Sequence, residues 1–158
     1  IALLTLIIIY MYKIIFVCHG SICRSPAAEF ICKDFLEKAH KSQLFSVTSL
    51  AVSNEEIGND VYPPMRNELL RRGVKLERHS ARRITQKDYD EADYIFYMDA
   101  SNARYLRYML NDYKNIIKPI TFYTKRISEI EDPWYSDRYS LVCDQISECI
   151  KDIFNNIL

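Results

Sequence analysis

The chain has 158 residues, 49% hydrophobic and 27% charged, and its 21 basic and 21 acidic side chains leave no formal net charge. That length supports one domain with a single substantial core, and the even balance argues against nucleic-acid binding, which needs a clustered basic excess. Five cysteines, Cys18, Cys23, Cys32, Cys143 and Cys149, form an odd set without a CxxC pair or metal-ligand spacing; neither a secreted disulfide framework nor a metal site is expected, and a reducing, cytoplasmic location is.

In chain order, Ile1 to Ile9 is hydrophobic. It falls short of the roughly 18 to 20 residues that cross a bilayer, and it lacks the basic start and cleavage site of a signal peptide. Met11 stands directly before a well-formed strand. The expectation is that residues 1–10 are a non-native or upstream extension, that residues 11–158 form one domain, and that the protein makes no membrane association.

Lys13-Ile14-Ile15-Phe16-Val17 is a continuous β-branched and aromatic run, the pattern of a parallel strand buried on both faces. A helix is predicted from Pro26 to about Ala39, with Ser25 as N-cap, Pro26 at the first position and Phe30, Ile31, Phe35 and Leu36 as its apolar stripe. A second strand is predicted over Leu44–Val52. Pro63 and Pro64 open a helix that closes at Gly73. Thr85 to Asp88 resembles a capping arrangement. Further strands are predicted over Ala92–Met98 and Ile116–Phe122, with a helix over Ser101–Leu110 between them. The last helix begins near Asp137, because Leu141, Val142, Ile146, Cys149, Ile150, Ile153 and Ile157 recur at helical spacing. The Arg71-Arg72 and Arg82-Arg83 pairs read as solvated charge. Alternating β and α elements predict an open parallel sheet flanked by helices, with ligands at the carboxyl ends of its strands.

The segment at that edge after the first strand is Cys18-His19-Gly20-Ser21-Ile22-Cys23-Arg24-Ser25-Pro26. A bare C-x5-R spacing arises by chance in about one chain in three of this composition; adding Gly20, Ser25 and Pro26 lowers that to the order of 10⁻⁵. A loop wrapped over a helix N-terminus offers successive amides to a tetrahedral dianion. Gly20 is expected to supply a positive φ and to clear space for the phosphate. Arg24 offers a planar fork of donors that Lys cannot match. Cys18 at the floor of this cradle should favour its thiolate, with a pKa below the usual value of about 8.5, and the Ser25 hydroxyl can donate to it. Cys23 reads either as a packed loop residue or as a redox partner for Cys18.

A phenolate leaving group needs a proton, and Asp132-Pro133-Trp134-Tyr135 is the best source. Pro133 stiffens the loop, while Trp134 and Tyr135 supply aromatic surface beside the Asp132 carboxyl.

With these residues in view, the chain from about Met11 onward resembles the low-molecular-weight protein tyrosine phosphatase family. The phosphate loop is similar to Val17–Pro26 and the acid loop to Asp132–Tyr135. Further similarity lies in Ser49–Ser53, Pro64–Arg66, His79–Arg82 and Met98–Asn102. The resemblance implies an α/β fold of three layers, with a four-stranded parallel sheet and the phosphate-binding loop between first strand and first helix. It also implies a phosphocysteine on Cys18, Arg24 holding the phosphoryl group, and Asp132 acting as acid and then base. No cofactor or metal is implied. The implied partners are a phosphotyrosine-containing protein or small aryl phosphate, within a tyrosine kinase substrate system.

Three positions depart from the family pattern. Ser21 replaces an Asn that holds a strained loop conformation and bonds toward the positions of Ser49 and His79, which are therefore expected supporting residues. Ser is a poorer occupant of a left-handed conformation. Glu55 stands where a pocket wall commonly has an aromatic, placing a carboxylate near an anionic substrate. Trp134 replaces a Tyr and keeps a stacking face. His79 also reads as an ordinary packing histidine. The rival functions are an arsenate reductase or an arginine-phosphate phosphatase of the same fold, and a phosphate-binding module without turnover.

Overall fold

The computed structural model describes residues 10–158; the expectation of an extension therefore falls, up to Ile9, outside the described residues. Strands β1 (Tyr12–Cys18), β2 (Phe45–Ala51), β3 (Tyr94–Tyr97) and β4 (Ile117–Pro119) form one sheet in the order β2-β1-β3-β4. Every pairing is parallel. The helices are α1 (Arg24–Lys38), α2 (Pro63–Arg71), α3 (Gln86–Glu91), α4 (Ala100–Met109), α5 (Pro133–Ser136) and α6 (Tyr139–Ile157).

The central strand explains the layering. Ile14 to Cys18 are all buried, and successive strand residues face opposite sides. Ile14 and Phe16 join a core with Phe30, Leu36, Met65 and Ile146, under α1, α2 and α6. Ile15 and Val17 join a second core with Leu50, Tyr89 and Leu106, under α3 and α4. Each such apolar side chain removed from water stabilises the fold by about 1.5–3 kcal/mol. A charge introduced at Ile15, with no exposed surface, would break the sheet's middle layer.

Two helix starts follow the sequence closely. Thr85 and Asp88 cap α3 reciprocally, and Asp99 and Asn102 do the same for α4. Gly73 closes α2 with φ 75°. Other elements differ from expectation. Helix α1 begins at Arg24, so Ser25 lies inside its first turn and caps nothing; Cys23 is the N-cap residue, without a side-chain cap bond. The fourth strand stops at Pro119, whose ring lacks an N–H for the ladder, and a 3₁₀ turn over Ile120–Tyr123 follows. Helix α6 starts two residues late, after Asp137 reverses the chain with φ 57°. Leu141, expected in its apolar stripe, is exposed. Among the described residues, no helix is long and apolar enough to cross a membrane.

Candidate active site

Cys18 ends β1, and Arg24 opens α1. The strand and helix thus fix both ends of a five-residue loop at the carboxyl edge of the sheet. Beside it, the chain leaving β2 is tied in: the Val52 amide donates to the Cys18 and His19 carbonyls at 3.1 and 3.2 Å, and the Ser53 amide to His19 at 3.1 Å. The segment around Ala81–Ile84 runs along the end of β2, with Ala51 donating to Arg82 and Ile84 donating to Ala51, both at 2.8 Å. That run carries His79 to the loop, where its Nε2 meets the Ser21 carbonyl at 2.6 Å.

Ser21, fully buried, takes the left-handed conformation at φ 56°, whereas Gly20 does not have a positive φ. The strained position in this loop is therefore the serine. Gly20 is needed for space: a Cβ there would come within 3.0 Å of the Glu56 Cγ. Two contacts hold Ser21 in place, the His79 ring on its carbonyl and the Ser25 hydroxyl, which donates to its Oγ at 2.9 Å. Ser49 does not join them. Its hydroxyl donates at 2.7 Å to Glu29, a buried carboxylate on α1 that also takes Lys33 Nζ at 2.7 Å. Ser49 sits within reach of α1 rather than the loop, and a buried carboxylate is the stronger acceptor.

The Cys18 thiol is 3% exposed and donates to Ser25 Oγ at 3.2 Å, while the Ser25 amide donates to the sulfur at 3.4 Å. Among the described residues, the amides of Gly20, Ser21, Ile22, Cys23 and Arg24 donate to no other group of the chain. They remain available to an anion at the start of α1, where the helix dipole adds positive potential. Arg24 is 2% exposed. Its Nη1 donates to Asp99 Oδ2 at 2.7 Å and to the Ile130 carbonyl at 2.9 Å, and its Nη2 lies 3.5 Å from Asp132 Oδ2. The capping role of Asp99 at α4 leaves its second oxygen free to orient the guanidinium. Sequence reasoning missed Asp99, although it stands inside the Met98–Asn102 stretch; its position just ahead of a helix, where a capping residue is expected, was the available signal.

Asp132 N-caps the short α5, accepting from the Trp134 amide at 3.0 Å through Oδ1. The loop before it is docked on β3, with the Ile130 amide donating to the Met98 carbonyl at 3.0 Å. This brings the carboxyl beside Arg24 in a cleft of about 250 Å³ that contains Cys18, Ile22, Glu55, Trp134 and Tyr135. Trp134 leans on Tyr62 with ring centroids 5.0 Å apart, and Tyr135 is exposed. Glu55 Oε2 accepts from His19 Nε2 at 3.0 Å, and the His19 ring meets Tyr105 edge-on. Burial, aided by the neighbouring Cys18, pushes the Cys23 thiol up to about 12, so this thiol stays protonated at neutral pH. All five cysteines are free and buried.

A sulfur at the floor of an anion cradle, a buried guanidinium beside it and a carboxyl at the rim define a class: hydrolases that act on phosphate monoesters through a cysteine. The family model for low molecular weight phosphotyrosine protein phosphatases matches residues 13–158. The chain is 32% identical over 151 residues to the low molecular weight protein-tyrosine-phosphatase YfkJ of Bacillus subtilis, covering 93% of this chain and 96% of that protein. It is 34% identical over 147 residues to the low molecular weight phosphotyrosine protein phosphatase of Homo sapiens, covering 88% and 91%. The crystal structure of YfkJ superposes with a TM-score of 0.89 at 31% identity, over 93% of this chain and 94% of that one. The chain belongs to the low-molecular-weight phosphotyrosine protein phosphatase family.

Proposed function

We propose that this hydrolase removes phosphate from phosphotyrosine in proteins, through a phosphocysteine on Cys18. The observation that carries the reading is the setting of the Cys18 sulfur: it lies within hydrogen-bond reach of both the amide and the hydroxyl of Ser25, at the end of a loop whose next five amides from Gly20 to Arg24 bond to no other group among the described residues.

In the first step the thiolate attacks phosphorus. An S–P bond forms, the P–O bond to the phenol breaks, and Asp132 gives its proton to the departing oxygen. With the sulfur ionised, the Ser25 hydroxyl turns to donate to it. Arg24 and the loop amides hold the equatorial oxygens as charge spreads over them. In the second step Asp132, now a carboxylate, takes a proton from a water that attacks phosphorus; the S–P bond breaks and inorganic phosphate leaves. His19, Gly20, Ser21, Ile22 and Cys23 form the cradle, and Ile22, Trp134 and Tyr135 offer an aryl ring its apolar contacts.

Two of the rival readings, the arsenate reductase and the module without turnover, meet specific obstacles. An electron relay needs accessible, ionisable thiols, yet burial pushes Cys143 up to about 12 and Cys149 up to about 11. A module that binds without turnover would need neither a thiol bonded to the Ser25 hydroxyl and amide nor a carboxyl at the rim of the cleft, yet Cys18 and Asp132 supply both. A reducing, cytoplasmic compartment suits five unpaired cysteines.

The test is hydrolysis of p-nitrophenyl phosphate and of a phosphotyrosyl peptide. Cys18→Ser should lower kcat by at least about 10⁴-fold while inorganic phosphate still binds. Rapid quench of the wild type into alkaline denaturant should trap up to one phosphate per chain, bound through sulfur. Equal turnover by wild type and Cys18→Ser would sink the mechanism.

A further inference from the structure

The cleft carries its charges in an arrangement that phosphate binding alone does not require. Of the charged side chains lining it, Arg24 is cationic and already paired with Asp99, whereas Glu55, Glu56 and Asp132 are anionic. Asp132 has a role in proton transfer. Glu55 and Glu56 have none, and carboxylates beside an anion cradle oppose the approach of a dianion. A feature that works against binding of the reacting group calls for a gain elsewhere, and exclusion of wrong substrates is such a gain.

Both carboxylates are held near the loop. The Glu56 stem passes Gly20, which leaves it room by lacking a Cβ, and its Oε2 accepts from Asn59 Nδ2 at 2.6 Å. The segment that carries them is pinned from the other side: the Gly58 amide donates to Ala81 at 2.8 Å, and Ala81 donates to Asn59 at 2.9 Å. Glu55 keeps 69% of its side chain exposed and engages His19 through Oε2. A phosphorylated side chain reaching Cys18 must bring its flanking residues past this pair. A Lys or Arg there gains two acceptors, and an Asp or Glu meets two like charges.

We propose that Glu55 and Glu56 make this active site selective for phosphotyrosine flanked by basic residues. The inference rests on the phosphotyrosine reading above and assigns a charge to its substrate class. Exposed charge pairs contribute little, so the two carboxylates together should favour a basic flank by about threefold and disfavour an acidic one by about threefold, separating the two by about tenfold at low ionic strength.

The experiment uses the full chain and three phosphotyrosyl peptides of equal length, with Lys/Arg, Ala/Ser or Asp/Glu beside the phosphotyrosine. Wild type should rank them basic, neutral, acidic in kcat/KM, and added sodium chloride should compress the range. In the Glu55→Gln/Glu56→Gln variant, kcat/KM should fall about threefold on the basic peptide and rise about threefold on the acidic one. Loss of folding would lower both, so the opposite directions identify the charge effect. A flank preference left intact in the double variant, or no preference in wild type, overturns the proposal. Faster turnover of a phosphoarginine peptide than of the basic phosphotyrosyl peptide overturns it too. If wild type fails to hydrolyse any aryl phosphate, the phosphotyrosine reading itself falls; turnover without charge preference removes only this inference.

Discussion

The two sides of the cleft are built differently. The loop from Cys18 to Ser25 is mostly buried, with His19, Gly20 and Ile22 partly exposed, and it is held by groups from three directions: His79 on Ser21, Asp99 and the Ile130 carbonyl on Arg24, and the β2 exit on the His19 carbonyl. The rim formed by Glu55, Trp134 and Tyr135 is largely exposed and has few partners. The contrast separates two tasks. Charge stabilisation in a transition state requires donors fixed before the substrate arrives, which burial and multiple hydrogen bonds provide. Substrate choice tolerates mobile side chains, because each contributes only a small factor.

Substitutions in the two regions should therefore differ in size and in kind. The largest effect is expected at Arg24. Arg24→Lys loses the planar fork and should lower kcat/KM by about 10³-fold for every phosphate ester; a loss that varied with the leaving group would contradict a pure phosphate-holding role. Asp132→Asn comes next. Phenyl phosphate should lose about 10²-fold in kcat/KM, which reports the first step, while p-nitrophenyl phosphate, whose phenolate leaves without a proton, should lose much less in kcat/KM. Equal losses on the two esters would remove Asp132 from the role of acid. His79→Ala should destabilise the fold by about 1–3 kcal/mol by stripping the Ser21 carbonyl of its buried donor, measured by urea denaturation.

The smallest effect concerns a surface pair outside the cleft. The Arg82 guanidinium, with help from Thr85, holds the Asp88 carboxyl down at about 2. A carboxyl depressed in the folded state stabilises it above the ordinary carboxylate range, and the gain disappears as pH falls from about 4 toward 2. Arg82→Ala should cost about 0.5 kcal/mol at neutral pH and flatten the fall in stability across that acid window. Melting temperatures of both proteins between pH 2 and 7 would show it.

Much of this was legible in the sequence because it depends on local pattern. The buried run of β1, the Pro-led start of α2 and the Thr85–Asp88 cap each follow from neighbouring residues, and Cys18, Arg24 and Asp132 meet in one cleft as their motifs require. The illegible parts depend on contacts across the chain. Ser25 looks like an N-cap by residue type, but the turn tightens two residues earlier, so its hydroxyl serves the sulfur instead. Gly20 looks like the strained position, yet the strain falls on Ser21, because His79, 58 residues away, fixes that carbonyl. Ser49 turns to Glu29, whose burial no local periodicity announces. Asp99 reaches Arg24 only because β3 lies next to β1 in the sheet.

The left-handed Asp137 links the short helix that Asp132 caps to α6, which rests on α1. Asp132 is thus moored on one side to α6, while the cradle is moored to β1 as well as to α1. Fraying of the C-terminal helix under mild heat or denaturant would slacken the mooring of Asp132 before disturbing the anion site. Catalysis should then fade while the protein still retains its phosphate grip, so that an inactivated population would sequester substrate rather than release it.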